Sequence, residues 1–153
     1  MQHTIITLPN GKYSVTENNI VQVYKINGEE YSEFDMVRLH NNGIIEAKLE
    51  YPGESYLFLP NTNEAWVVEI PGIEGAVYGF YSVRVFENGI VCIRYKGDGK
   101  CYLFLPNTNK ALGLQRLYGE ELIYGFYMVI AHQEGTLIDI CWSETSNHTR
   151  FIF

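Results

Sequence analysis

Carboxylates are the residues whose grouping in this 153-residue chain could do chemistry. They cluster in short stretches that hold Glu29, Glu30, Glu33, Glu69, Glu74, Glu120 and Glu121. A pair of carboxylates can hydrolyse a glycosidic bond, one as the acid and the other as the base or nucleophile. Adjacent residues of a strand point to opposite faces, however. The pattern therefore favours an acidic surface that attracts a basic partner.

Tyrosines accompany these carboxylates, at Tyr78, Tyr81, Tyr118, Tyr124 and Tyr127. Exposed tyrosine side chains beside charged residues are typical of protein-recognition surfaces, where a few aromatic anchors supply most of the affinity. We therefore predict that a basic protein binds a site composed of Glu29, Glu30, Glu33, Glu74, Tyr118, Glu120, Glu121 and Tyr124.

Asparagine-rich loops support an alternative hypothesis, a carbohydrate-binding lectin. The tripeptide Asn-Thr-Asn occurs at residues 61–63 and again at 107–109. Asparagine side chains can bind the hydroxyls of a glycan while tyrosine rings stack on the sugar, which would give one site per repeat. The same tripeptide after proline is also ordinary turn sequence.

Histidines and cysteines show no spacing typical of catalysis or metal binding. His3, His40, His132 and His148 do not form the paired spacings of a zinc site. His40 and His132 share a position with Phe86 in the repeat described below, which favours packing. We expect Cys92, Cys101 and Cys141 to be buried, reduced thiols. The sequence therefore predicts no metal, no cofactor and no enzymatic activity.

The charge balance restricts the class of partner. Eighteen acidic and eleven basic residues give a formal charge of −7, which disfavours direct binding to nucleic acid or to an anionic membrane. The first ten residues lack the basic and apolar regions of a signal peptide, which predicts a cytoplasmic protein. We expect a non-enzymatic binding module that inhibits or neutralises a basic protein. Immunity proteins that block nuclease toxins work in this way.

Internal repeats with a period of 46 residues organise the chain. Residues 55–63 return as 101–109, and the sequence YGFY at 78–81 returns at 124–127. We predict one domain, residues 1–153, with a partial repeat over 1–26 and repeats over about 27–71, 72–117 and 118–153. Three further positions recur at this period: Phe34, Phe80 and Phe126; Val37, Val83 and Val129; and Gly43, Gly89 and Gly135.

Each repeat has the sequence pattern of short antiparallel strands. In the middle copy we predict four strands, at residues 81–86, 90–95, 101–105 and 111–116, with Asn88-Gly89 as a two-residue hairpin turn. Gly43 and Gly89 are expected at positive φ, and Gly135, which follows Glu134, in a turn of another type. No window shows the 3.6-residue apolar period of a helix, so the chain is predicted to be all-β.

Alternation in residues 44–51 predicts which side chains face the core. Residues 45, 47, 49 and 51 are apolar and are expected to point inward, whereas Glu46 is expected to face water. In the third copy Asp139 takes the position of Ala47 and Ile93. Because an unpaired buried carboxylate is costly, we expect its strand at a sheet edge, with a one-residue shift of register as the alternative.

The two ends of the chain predict how the repeats close. Residues 5–10 (IITLPN) resemble 56–61 (YLFLPN), and residues 150–153 resemble a third strand. The N-terminal segment is therefore expected to complete the C-terminal copy and cover its edge. Threefold repetition favours a β-trefoil-like barrel over a small propeller or a two-sheet sandwich.

Overall fold

Strands and turns form the chain throughout the described part of the computed structural model, residues 2–116, 119, 121–144 and 148–153. Among these residues the one helical element is a short 3₁₀ turn, Gln133–Gly135. The prediction of an all-β fold is confirmed. The strands of these residues form six small antiparallel sheets, and no closed barrel is found among them.

The chain divides into two compact units, Met1–Val67 and Val68–Phe153, here called unit 1 and unit 2. Unit 1 holds three sheets, with strand orders β1-β2-β3, β4-β5 and β6-β7-β8. Its strands are β1 (His3–Thr7), β2 (Tyr13–Glu17), β3 (Ile20–Val21), β4 (Tyr24–Ile26), β5 (Glu29–Tyr31), β6 (Met36–Leu39), β7 (Ile45–Lys48) and β8 (Ser55–Phe58).

Unit 2 also holds three sheets, with strand orders β9-β10-β11, β12-β13 and β14-β15-β16 among its described residues. Its strands are β9 (Ser82–Val85), β10 (Val91–Arg94), β11 (Cys101–Phe104), β12 (Leu114–Gln115), β13 (Leu122–Ile123), β14 (Met128–His132), β15 (Leu137–Cys141) and β16 (His148–Ile152).

The 46-residue repeat is visible in the strand pairing. Met36 pairs with Lys48 in the sheet β6-β7-β8, and Ser82 pairs with Arg94 in β9-β10-β11, so the two registers match position for position. Three of the four strands predicted for the middle copy are confirmed as β9, β10 and β11.

The prediction of a fourth strand at residues 111–116 in this sheet was wrong. Only β12 forms there, and it pairs with β13. A backbone hydrogen bond from Leu112 N–H to Leu103 O, 2.8 Å long, joins this segment to β11. The ladder ends at Phe104 because the next turn contains Pro106, which has no N–H, and Asn107 at φ 63°.

Asparagine and glycine form the hairpin turns as predicted, but with a different loop length. Gly43 and Gly89 have φ of 88° and 91°, which confirms their positive φ. The turn around Asn88 has a three-residue loop, because Gly89 N–H donates to Phe86 O and Phe86 N–H donates to Ile90 O. This is a type I turn followed by a bulge at glycine. The expectation of a two-residue turn at Asn88-Gly89 was therefore wrong.

The third sheet differs from the first two by one residue. The loop between β14 and β15 is one residue longer, with positive φ at Gln133, Glu134 and Gly135. The expectation of another turn type at Gly135 is confirmed. The extra residue shifts the register of β15, so that Ile138 and Ile140 are buried. Asp139 lies on the central strand of the sheet, so the expectation of an edge strand was wrong and the shift of register occurs instead.

The alternation of apolar and charged residues predicted only part of the burial around β7. Ile45 and Ala47 are buried as predicted, but Glu46 is only 4% exposed and Tyr51 is 72% exposed. Both faces of β7 are covered, because Ile45 and Ala47 are buried on one face and the Glu46 side chain contacts His40, Arg38 and Ser55 on the other. The strand ends at Lys48, so alternation no longer places Tyr51.

The N-terminal segment forms a sheet of its own. β1 pairs with β2, and Gly11 N–H donates to Leu8 O in a hairpin turn like the one at Gly43. The turn at residues 59–62 differs, because Asn61 has φ 64° and Thr62 N–H donates to Leu59 O. The proposed equivalence of residues 5–10 with 56–61 was therefore wrong.

The repeated phenylalanines are core residues. Phe34, Phe80 and Phe126 are all fully buried. The ring of Phe34 packs on that of Tyr24 at a centroid distance of 6.0 Å, and the ring of Phe126 packs on that of Trp142 at 5.5 Å. A common layer formed by all three rings stays a prediction.

Candidate functional site

A tight hairpin presents the first two predicted glutamates. Asn27 and Gly28 connect β4 to β5 with φ of 51° and 81°, the geometry of a two-residue turn that matches the twist of the strands. Glu29 and Glu30 follow on β5, and both are exposed. The hydroxyl of Tyr31 donates to Glu29 Oε2 at 2.6 Å, which raises the pKa of that tyrosine. The hairpin thus holds two carboxylates in water.

Cross-strand neighbours set the charge around Glu30. Lys25 pairs with Glu30 on β5, and it forms a parallel bridge with Glu64 on its other side. One exposed lysine therefore lies between two exposed glutamates. This face of the hairpin stays net negative.

Glu33 lies at the edge of a cleft of about 440 Å³ in unit 1. Its Oε1 accepts a hydrogen bond of 2.8 Å from Asn10 Nδ2, which fixes the carboxylate beside the turn that joins β1 to β2. Ligand sites are commonly clefts of this size with an apolar lining and a few fixed polar groups. The cleft is lined by Leu8, Pro9, Asn10, Ser14, Val21, Ser32 and Glu33.

The negative charge of the chain is concentrated in unit 1. Unit 1 carries nine acidic and four basic side chains, a formal charge of −5, whereas unit 2 carries nine acidic and seven basic side chains, a formal charge of −2. Lys12, which is near the cleft in sequence, is 3.1 Å from Asp35. That hydrogen bond lowers the pKa of Asp35. The cation is therefore already neutralised.

The predicted binding residues of unit 2 lie in separate loops. Glu74 and Glu121 are exposed, in the loop after Ile70 and just before β13, respectively. Tyr124 is half-buried and its ring lies over Gly113, where a Cβ would be 2.8 Å from the ring. Tyr124 is thus a packing residue in part. Tyr118 and Glu120 lie outside the described residues.

The asparagine loops of the lectin hypothesis use their side chains in turns. Thr62 Oγ1 donates to Leu59 O, and Thr108 Oγ1 donates to Leu105 O, each at 2.8 Å. Asn63 Nδ2 donates to Val23 O at 2.8 Å. These groups hold the backbone, as the turn interpretation of the sequence predicts.

A buried carboxylate cluster in unit 1 was missed by the sequence analysis. Glu46 Oε1 is 3.1 Å from His40 Nε2 and 3.8 Å from Arg38, and Oε2 accepts a hydrogen bond of 3.4 Å from Ser55. The His40 side chain also lines a cavity of about 340 Å³ together with His3. The strand pairing places Arg38 directly opposite Glu46 on the neighbouring strand, and this register cannot be read from the sequence alone.

A second carboxylate cluster forms around Asp139 in unit 2. Its carboxylate is 3.0 Å from His132 Nε2 and accepts hydrogen bonds from Arg150. His40 and His132, assigned to packing from the sequence, thus each contact a carboxylate of the next strand. No group of three or more His, Cys, Asp or Glu side chains in the described part of the chain could hold a metal ion.

Comparison with protein-family models and with curated proteins finds no match for this chain. Among the residues that the structure describes, no helix is long and apolar enough to cross a membrane.

Proposed function

We propose that this chain acts in the cytoplasm as a non-enzymatic binding module that inhibits or neutralises a basic protein, in the manner of an immunity protein for a nuclease toxin. The cleft of unit 1 and the carboxylates of Glu29, Glu30 and Glu33 are its binding surface. The predicted residues of unit 2, Glu74, Tyr118, Glu120, Glu121 and Tyr124, stay part of the proposal as a second contact region.

The observation that carries the proposal is a carboxylate fixed at the edge of an apolar cleft. Glu33 is held by Asn10, while Leu8, Pro9 and Val21 supply apolar lining. An apolar side chain of a partner can enter such a cleft while a lysine or arginine beside it pairs with Glu33. Charge attraction accelerates the encounter, and burial in the cleft slows dissociation.

Exposed apolar side chains are close in sequence to Val21, which lines the cleft. Ile20, Val21 and Val23 are 66%, 43% and 44% exposed. Ile20 and Val21 form β3, which is an edge strand of its sheet and can pair with an extended segment of another chain. A partner segment with alternating basic and apolar side chains matches this combination of carboxylates, apolar surface and strand edge.

Binding of a defined peptide tests the proposal. Isotope-labelled protein is titrated with a short alternating lysine–leucine peptide and, separately, with an alternating glutamate–leucine peptide of the same length. We expect the basic peptide to shift the backbone NMR signals of the cleft residues and of β5, at least about tenfold more tightly than the acidic peptide. Raising the salt concentration should weaken this binding.

A matched pair of variants separates the effect of the cleft on binding from the effect of net charge. Glu33→Lys should weaken binding of the basic peptide by about tenfold or more. Glu87 is an exposed turn residue of unit 2. Glu87→Lys changes the net charge equally and should leave binding of the peptide almost unchanged. Equal weakening by both variants, or signal shifts that avoid the cleft, would contradict the proposal.

We further propose that the sheets β6-β7-β8, β9-β10-β11 and β14-β15-β16 are copies of one unit that close into a β-trefoil-like barrel. The shared 46-residue period and the matching registers of the first two of these sheets support the repetition. Closure requires neighbouring termini, so a circular permutant with joined ends should fold with near-native stability. A permutant that fails to fold, while a permutant opened elsewhere on a longer linker succeeds, would contradict closure.

A further inference from the structure

A cavity of about 210 Å³ in unit 2 brings two thiols and two guanidinium groups together. It lies between the sheet β9-β10-β11 and strand β14, whose residues Met128, Val129 and Ile130 line its other side. The strand register places the four groups on one face of the sheet, because Arg84 pairs with Cys92 and Arg94 pairs with Cys101. All four side chains line the cavity.

Several donors surround the sulfur of Cys101. The Cys92 thiol, the backbone of Val129 and the positive charges of Arg94 and Arg84 all favour the thiolate form of Cys101 and lower its pKa. The hydrogen bond from Cys92 is the largest cause that lowers the pKa of Cys101 to about 7. The same bond, together with burial, raises the pKa of Cys92. A large fraction of Cys101 is therefore thiolate near neutral pH, and the thiolate is the nucleophilic form.

The positive charge of this cavity distinguishes the middle sheet from its two copies. In the first sheet Glu46 stands at the position of Cys92 and is 3.8 Å from Arg38. In the third sheet Asp139 stands there after the register shift and pairs with Arg150. The lining of the cavity contains no carboxylate among the described residues. An anion entering it would meet two guanidinium groups with no competing negative side chain.

Backbone contacts hold the two arginines at the cavity. Arg84 Nη2 donates to Val129 O at 3.1 Å, and Arg94 Nη1 donates to Gly99 O. A guanidinium has five N–H donors, so each retains further donors for a bound anion. The arginines are thus oriented before any ligand arrives.

We propose that this cavity is a thiol-modification site, in which Arg84 and Arg94 attract a small anionic disulfide and Cys101 attacks it. The thiolate sulfur of Cys101 forms a bond to one sulfur of the disulfide. The bond between the two sulfurs of the small molecule breaks, and its second half leaves as a thiolate. The cysteine sulfur is oxidised, the leaving half is reduced, and no other reactant is needed.

The product is expected to stay a mixed disulfide. Cys92 and Cys101 are diagonal neighbours on adjacent strands, because Cys92 pairs with Leu103, two residues beyond Cys101. The Cα atoms of such neighbours lie about 7–8 Å apart, beyond the usual span of a disulfide. Cys92 therefore acts as a positioning residue that stabilises the thiolate.

Two reagents of opposite charge test the proposal. The intact protein is treated with sulfonatoethyl methanethiosulfonate, an anion, and with trimethylammonioethyl methanethiosulfonate, a cation, and the adduct is located by mass spectrometry. Mercaptoethanol gives the intrinsic rate ratio of the two reagents. Relative to that ratio, we expect the protein to favour the anion by about tenfold or more, with the adduct on Cys101. The rate should rise with pH with a midpoint near pH 7, in line with the thiolate fraction.

Variants test whether the two arginines cause the preference for the anionic reagent. Arg84→Gln and Arg94→Gln together should bring the ratio close to that of mercaptoethanol, whereas Lys96→Gln, an exposed cation outside the cavity lining, should not change it. Cys92→Ala, which removes the donor, should keep the adduct on Cys101 but move the pH midpoint upward.

The measurement on the wild-type protein is enough to overturn the proposal, so the test does not depend on whether the variants fold. A first adduct on Cys92 or Cys141, a rate ratio equal to that of mercaptoethanol, or no reaction of the folded protein would each do so. The Cys141 thiol is the internal control, since burial raises its pKa.

Discussion

Arg150 donates two hydrogen bonds to Asp139, one from Nε at 2.8 Å and one from Nη2 at 3.1 Å. The two residues are direct cross-strand partners on β15 and β16. His132, on β14, adds a contact of 3.0 Å to the same carboxylate, so one side chain joins all three strands of the sheet. The bonds from Arg150 and His132 hold the pKa of Asp139 well below its usual range.

Acid should weaken unit 2 through Asp139. The pKa of this group is lower in the folded state than in the unfolded state, so its ionised form stabilises the fold above the unfolded pKa of about 3.9. That contribution is lost as the pH falls through the lower, folded pKa. Asp139→Asn should therefore reduce the free energy of unfolding near pH 7 and flatten its decline in acid. Urea unfolding across a pH series measures both.

Glu87→Gln is the matched control for this prediction, because Glu87 is exposed in a hairpin turn. Its stability should follow the wild-type pH profile. An Asp139→Asn profile that is parallel to the wild type throughout would contradict the assignment.

The repeated phenylalanine position should be costly to truncate. Phe80 is fully buried, so Phe80→Ala should lower the free energy of unfolding by about 3–5 kcal/mol. The next residue, Tyr81, is 60% exposed, and Tyr81→Ala should cost less than about 1 kcal/mol. Chemical denaturation measures both. A small loss in Phe80→Ala would show that this position is not a core position of the repeat.

Substitution of Gly89 should destabilise the fold for two reasons, and a second glycine, Gly72, allows the two effects to be measured separately. The φ of Gly89 is 91°, and an added Cβ would lie 3.0 Å from Cγ of Pro106, just as Gly43 meets Pro60 at 3.2 Å. Gly72 has a similar φ of 85° with no heavy atom within 4 Å of an added Cβ.

Gly72→Ala should therefore show the backbone cost by itself, about 1–2 kcal/mol. Gly89→Ala should cost about 1 kcal/mol more, because the ring of Pro106 must move. Thermal or urea unfolding of the two variants gives the difference. Equal losses would mean that the contact with Pro106 is unimportant.

Local sequence patterns predicted the parts of this fold that depend on local physics. The repeat period, the strands β9 to β11 and the positive φ of Gly43 and Gly89 all follow from short segments. The burial of Glu46 did not, because alternation assumes that one face of the strand is in water. The register shift at Asp139 depends on one extra residue in a turn whose length cannot be read from composition.

The candidate site was predictable in type but not in detail. Glu29, Glu30 and Glu33 are exposed near one another in sequence, but the cleft beside Glu33 forms only when the turn at residues 8–11 folds against it. Likewise, Cys92 and Cys101 meet only because Arg94 pairs with Cys101, a register fixed by the loop between β10 and β11. Contacts of this kind require the strand pairing to be known first.

A charge-swap titration tests whether the acidic cleft of unit 1 binds a basic partner. The measured quantity is the ratio of the dissociation constants of the acidic and the basic peptide, for the wild type and for the double variant Glu30→Lys, Glu33→Lys. We expect the wild type to prefer the basic peptide and the variant to lower this preference by at least about tenfold, since charge complementarity selects the partner. A ratio that is unchanged by the double variant would show that the cleft of unit 1 does not select a basic partner.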